Sequence, residues 1–178
     1  GTTTTPPTAM NGNYNMVFYQ RENSGDAAAR LTTCQMSGGN LNVYGSGNWR
    51  VYDYASNDYG FATSNYRGTF TTGSANATSA SFGAISNGTV ASSSNATGGQ
   101  CGYTGSGQSI RALITNNFTA GAYSVVIGND DNYRISFDGG STWSYSGTCC
   151  GNQTNTSLLN GTYNIVYQGN NGGGGGAT

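Results

Sequence analysis

Asn160-Gly161-Thr162-Tyr163-Asn164-Ile165-Val166-Tyr167-Gln168 is the stretch on which the reading of this chain turns. A glycine supplies a turn, and tyrosine, β-branched and apolar residues follow it, which suits a pleated surface. The same pattern stands in Asn11-Gly12-Asn13-Tyr14-Asn15-Met16-Val17-Phe18-Tyr19-Gln20, and in weaker form in Gly121-Ala122-Tyr123-Ser124-Val125-Val126-Ile127. Each copy reads Gly, any, Tyr, any, apolar, Val, apolar. Three strands are therefore expected at these places. Their spacing is irregular, which argues against a solenoid or a propeller.

Working outward, alternation and turn punctuation predict further strands near 29–34, 40–45, 48–54, 66–71, 78–85, 109–115, 132–138 and 142–146. Clusters such as Gly38-Gly39-Asn40 and Gly45-Ser46-Gly47-Asn48 separate them. A short helix over 25–31, where Asp26 precedes three alanines, is the one exception to an all-β pattern. The segment 72–108 is rich in Ser, Thr, Ala, Gly and Asn. It reads either as long flat edge strands or as a decorated loop. About ten short antiparallel strands in a chain of 178 residues point to one β-sandwich domain of jelly-roll type. Its expected limits are 11–168. An extended tail at 1–10 precedes it and a Gly-rich tail at 169–178 follows.

The composition narrows the function. Only 7% of residues are charged, against about a quarter in ordinary soluble domains. There is no Lys and no His, and the net charge is -1. Such a surface gives nucleic acid no basic footprint and lipid headgroups no polybasic patch. No run of about 20 apolar residues is present for membrane insertion. Thirteen Tyr, six Phe and two Trp within alternating runs distinguish the chain from a disordered one. The start Gly1 to Pro7 reads as a processed mature end, without a signal peptide.

Four cysteines, Cys34, Cys101, Cys149 and Cys150, suggest an oxidising, extracellular compartment. Three pairings are open. A bridge between the adjacent Cys149 and Cys150 would be strained, so those two are expected to split between Cys34 and Cys101. Seven N-x-S/T sequons occur, at Asn76, Asn87, Asn95, Asn117, Asn152, Asn155 and Asn160. With 22 Asn and 43 Ser plus Thr in the chain, about five would arise by chance, so they are weak signals of glycosylation.

Ser136-Phe137-Asp138-Gly139-Gly140-Ser141-Thr142-Trp143 resembles the Asp-box, S-x-D-x-G-x-T-W. The resemblance covers these eight residues only. It implies a β-hairpin in which Ser136 and Asp138 bond the turn backbone and Trp143 packs beneath. The activity of the sialidases that carry repeated Asp-boxes is not implied by one copy. Asp130 and Asp131, with Asp138, could supply oxygen ligands to calcium, and Asp53, Asn57 and Asp58 form a second such group. Neither has EF-hand spacing, and Asx-rich turns are common between strands. No resident metal or other cofactor is expected.

Catalytic chemistry has little to stand on. The chain holds no His for a triad and no Lys for a Schiff base, and its only Glu is Glu22. A pair of carboxylates would still suffice for a glycosidase, the third-ranked reading. The second is a secreted carbohydrate-binding module. Trp49, Tyr52, Tyr54, Tyr59 and Tyr66 fall within one stretch and could contact sugar, with Tyr52 and Tyr54 on one strand face and Trp49 and Val51 on the other. The first is an extracellular structural subunit whose partners are copies of itself. It would form a filament, pilus, sheath or matrix fibre by strand addition through residues 1–10. In architecture this resembles donor-strand filament subunits. Edges without Lys, and a Pro6-Pro7 exit from the tail, favour it.

Overall fold

A computed structural model of the chain describes residues 40–56, 59–71, 84–86, 89–91, 108–129, 131–148, 151–171 and 176–177. The described part is all-β apart from a single 3-10 turn at Thr63–Asn65. The strands are β1 (Gly45–Ser46), β2 (Arg50–Tyr54), β3 (Tyr66–Thr71), β4 (Ala84–Ser86), β5 (Thr89–Ala91), β6 (Gln108–Asn129), β7 (Asn132–Ser136), β8 (Tyr145–Thr148), β9 (Gly151–Asn171) and β10 (Gly176–Ala177). The main sheet runs β3-β2-β6-β9-β7-β8, all antiparallel, and β1 adds to β6 in parallel. A second, three-stranded sheet runs β10-β4-β5.

Two strands are long. The stretches 109–115 and 121–127, expected as separate short strands, belong to one 22-residue strand, β6. It pairs with the 21-residue β9 along nearly its whole length. A straight strand of that length would span about 70 Å. The chain does not allow it. Asn129 ends β6 and Asn132 opens β7, so their Cα atoms are no more than about 11 Å apart. Asn132 pairs with Asn170, which pairs with Ser109 at the start of β6. The two ends of β6 must therefore lie close together, and the β6–β9 ribbon folds back over the sheet.

The corner can be located. The register shifts between Phe118 and Gly121, and Gly161, opposite Phe118, has φ +95°. Phe118 meets Tyr123 edge-on at 5.1 Å and Tyr163 at 6.0 Å, and Phe137 meets Tyr163 at 6.1 Å. Four rings thus fill the inside of the bend. Backbone pairing resumes past the bulge because one displaced step costs little of the ladder. The returning ribbon is fastened by Tyr145 of β8, whose hydroxyl donates to the Thr156 carbonyl of β9 at 2.7 Å.

The main sheet is covered on both faces. On the first face Trp49, Val51, Ile110, Ala112, Ile114, Tyr133, Ile135, Ile165 and Tyr167 meet Ile127 of the returned ribbon. On the second face Tyr52, Tyr54, Leu113 and Val166 pack under Leu41, Tyr44, Phe61, Tyr66 and Trp143. Alternation along β2 sends Val51 to one cluster and Tyr52 and Tyr54 to the other.

β9 runs on to Asn171 rather than ending at 168, and Gly176–Ala177 pair with Ala84 and Ile85 of β4. Within 72–108 the described residues include the small β4–β5 pair. The strand at 11–20, the helix at 25–31 and the tail at 1–10 lie outside the described residues.

Candidate functional site: an arginine clasped by two aromatic rings

The second face is roofed by side chains that the sheet itself holds. Tyr52 lies fully buried in β2, and its hydroxyl accepts the Val43 N–H at 2.9 Å and can donate to the Val43 carbonyl at 3.0 Å. Arg111, the register partner of Tyr52 on β6, donates Nη1 to the Leu41 carbonyl at 3.2 Å and to Asn42 Oδ1. These bonds staple the segment 40–44 down over the sheet. The segment after β2 is fixed in the same way. Ser109 Oγ donates to the Ser56 carbonyl at 2.9 Å, and Phe61 meets the Tyr54 ring edge-on at 5.1 Å. Burial pushes the Tyr54 phenol up to about 12, with Arg111 opposing the rise.

The roof ends over β7. A single row of register partners crosses the second face: Thr69, Tyr52, Arg111, Gln168, Arg134 and Ser146. Gln168 is buried, and its Oε1 accepts the Nε–H of Arg134 at 2.6 Å. The Arg134 guanidinium carbon stands 4.1 Å from the centroid of Tyr59 and 4.1 Å from that of Trp143. The three side chains are each half-buried. Two flanking rings and a 2.6 Å bond leave the guanidinium almost no rotamer freedom.

Each partner is delivered by its own local structure. Tyr59 comes from the segment between β2 and the 3-10 turn, where the Phe61 N–H donates to the Tyr59 carbonyl at 3.0 Å. Trp143 comes from the β7–β8 turn. There Ser136 Oγ donates to Asp138 Oδ1 at 2.6 Å and accepts the Gly140 N–H at 2.8 Å. Thr142 donates its N–H to Asp138 Oδ1 at 2.9 Å and its hydroxyl to Oδ2 at 2.6 Å. Gly139 and Gly140 take φ +77° and +93°, a region where a Cβ is unwelcome. The Ser136 hydroxyl, then Thr142, holds the Asp138 carboxyl well below the usual carboxylate range.

Among the described residues Arg134 has no carboxylate within ion-pair distance, and Nε is its one hydrogen-bonded nitrogen. Burial lowers the Arg134 pKa, and Tyr59 opposes the change. Guanidinium groups start so high that it stays cationic at neutral pH. Burial likewise raises the Tyr59 phenol, so that ring is neutral at the same pH.

The aromatics singled out in the sequence separate in space. Trp49, Tyr52 and Tyr54 are core side chains, so their rings have no face to offer a ligand. Both faces of β2 are covered, which puts Tyr52 and Tyr54 in the core. Tyr59 and Tyr66 keep partial exposure; Tyr59 joins the clasp, and the Tyr66 hydroxyl bonds Thr69 Oγ1. Arg134 was not among the candidates, and Trp143 was read as a fold residue. The available signal was positional: Arg134 alternates with the apolar Tyr133 and Ile135, two residues before the Ser136–Trp143 turn begins to close.

Among the described residues no three His, Cys, Asp or Glu side chains stand together as a metal site. Asp138 spends its oxygens on the turn, Asp131 is half-buried, and Asp130 lies outside the described residues. So do Cys34, Cys101, Cys149, Cys150, Asn76, Asn87 and Asn95. Asn117, Asn152 and Asn160 are exposed and Asn155 is half-buried; Asn117 Oδ1 accepts the Thr162 hydroxyl at 3.1 Å. Among the described residues no helix is long and apolar enough to cross a membrane.

No protein-family model matches the chain, and no curated protein matches it. Among solved structures it is similar to the PA14 sugar-binding domain from an RTX adhesin, at 17% identity and a TM-score of 0.46. That match covers 73% of this chain and 85% of the adhesin domain. It is also similar to the PA14 domain of the antifreeze protein MpAFP, at 14% identity and a TM-score of 0.45, covering 80% of this chain and 84% of that one.

Proposed function

We propose that this chain is an extracellular glycan-binding β module without enzymatic activity, and that the Tyr59–Arg134–Trp143 clasp is its binding site. One observation carries the reading. Two half-exposed aromatic rings fix a guanidinium at the place where the roof of the second sheet face stops. Small-molecule sites combine apolar or aromatic walls with a few fixed polar groups. Sugars present C–H faces to aromatic rings and hydroxyls to planar donors, so this pairing of groups suits them. The exposed Ser146, register partner of Arg134 on β8, adds a neutral hydroxyl beside it.

The filament reading has no comparable support. Its mechanism needs residues 1–10, which lie outside the described residues. A glycosidase needs two carboxylates placed around one bond, and among the described residues the clasp has none in contact with Arg134.

The test is a glycan array probed with the wild-type chain and with Tyr59→Ala, alongside cellulose and chitin pull-downs. Saturable binding to at least one glycan class, weakened at least tenfold by Tyr59→Ala, is expected. Binding to no glycan, or binding that Tyr59→Ala leaves unchanged, refutes the assignment.

A further inference from the structure

Resting on the glycan-binding reading, we infer that the clasp selects sugars that carry a carboxylate, such as uronates or sialic acids, through the outer edge of the Arg134 guanidinium.

The argument starts from which nitrogens are occupied. Gln168 takes Nε at 2.6 Å, and the guanidinium carbon lies 4.1 Å from each of the ring centroids of Tyr59 and Trp143. What remains is the edge made by the two η nitrogens. They have no hydrogen-bond partner among the described residues. That edge presents two parallel N–H donors in one plane. A carboxylate fits it with two parallel N–H···O bonds, the fork-to-fork arrangement. The bonds are charge-assisted and directional, which a hydroxyl pair cannot match.

Charge accounting points the same way. A half-buried cation is costly to keep without a counter-charge. Among the described acids, Asp53, Asp131 and Asp138, none is paired with Arg134. Arg111, next but one in the same row, spends Nη1 on holding the segment 40–44. Arg134 lies against two rings, is oriented by a buried amide, and has no partner for its η nitrogens among the described residues. A ligand anion completes it. The chain's weak overall charge means that this single contact, rather than a long-range field, supplies the selectivity.

Two measurements on the wild-type protein, independent of any variant, decide the matter. Calorimetry compares oligogalacturonate and sialyllactose with the same sugars after reduction of the carboxyl to an alcohol. At least one acidic sugar should bind, and reduction should weaken it at least about tenfold, the size expected for losing a charge-assisted pair. Raising salt from 50 to 500 mM should weaken the acidic sugar by about two- to fivefold, because one exposed ion pair is screened. Arg134→Lys, which keeps the charge and loses the planar fork, should fall close to the carboxyl-reduced level while its circular dichroism is unchanged. Equal affinity for reduced and unreduced sugars overturns the carboxylate inference and leaves glycan binding standing. Preference for a sulfated glycan over its carboxylated counterpart also overturns it, since the anion would then be tetrahedral. Failure of every glycan to bind overturns both.

Discussion

One carboxylate holds both donors of one residue: Asp138 Oδ1 accepts the Thr142 backbone N–H at 2.9 Å while Oδ2 accepts the Thr142 hydroxyl at 2.6 Å. With Ser136 bound to the same Oδ1, the turn that delivers Trp143 is built around an ionised group. The Asp138 pKa is depressed in the folded chain. Its contribution is therefore present above the unfolded value of about 3.9 and is lost as pH falls below that. The melting temperature of the wild-type chain should drop below about pH 4. Asp138→Asn should melt lower than wild type at pH 7 and show a flatter acid limb. Parallel acid limbs in a thermal-melt series would contradict this.

The roofed second face gives a pair of leucine predictions. Leu113 is fully buried between Tyr52, Tyr54 and Val166, whereas Leu158 on the returned ribbon is 83% exposed. Leu113→Ala should cost about 3 kcal/mol, from lost burial and a residual cavity. Leu158→Ala should stay within about 0.5 kcal/mol of wild type. Urea titration reads both as midpoint shifts.

The corner of the ribbon gives a glycine pair. Gly161 stands at φ +95°, where an added Cβ meets nothing within 4 Å but the backbone itself is strained for an L-residue. Gly161→Ala should cost about 1–2 kcal/mol. Gly121, across the same bend, has ordinary backbone and no neighbour nearer than 3.8 Å to a new Cβ. Gly121→Ala should be neutral or slightly stabilising, because alanine reduces the freedom of the unfolded chain. Thermal melts of the two variants test whether the bend lies at Gly161.

Tyr145→Phe removes the hydroxyl that bonds the Thr156 carbonyl and contacts Ser157 Oγ at 2.7 Å. The expected loss is about 1 kcal/mol. Amide exchange should quicken selectively over 151–159 if this bond fastens the returned ribbon, and uniformly if it does not.

Much of the sheet was legible in the sequence. The Gly-x-Tyr pattern lies within β9 at 160–168 and within β6 at 121–127, and β3 begins at Tyr66 as the alternation suggests. The long reach of β6 was not legible. Residues 116–120 fall between two strands expected as separate, yet pairing resumes at Gly121 because β9 bends with β6. The site was hidden for a related reason. Tyr59, Arg134 and Trp143 belong to three separate segments, and only the register of β7 beside β9 brings Gln168 to Arg134. Alternation told which way Tyr52 and Tyr54 point. It could not tell that the segment 40–44 would cover them.

The most direct measurement uses Trp143 as its own reporter. Trp49 is a buried core residue and the only other tryptophan, so Trp49→Phe leaves Trp143 as the sole indole emitter. This variant is titrated with oligogalacturonate, sialyllactose, cellotetraose and chitotetraose, each also followed by calorimetry. The account predicts a saturable change in Trp143 emission whose midpoint matches the calorimetric one, and its loss when Tyr59→Ala is added. Calorimetric binding with a silent Trp143, or no binding by any of the four sugars, would contradict it.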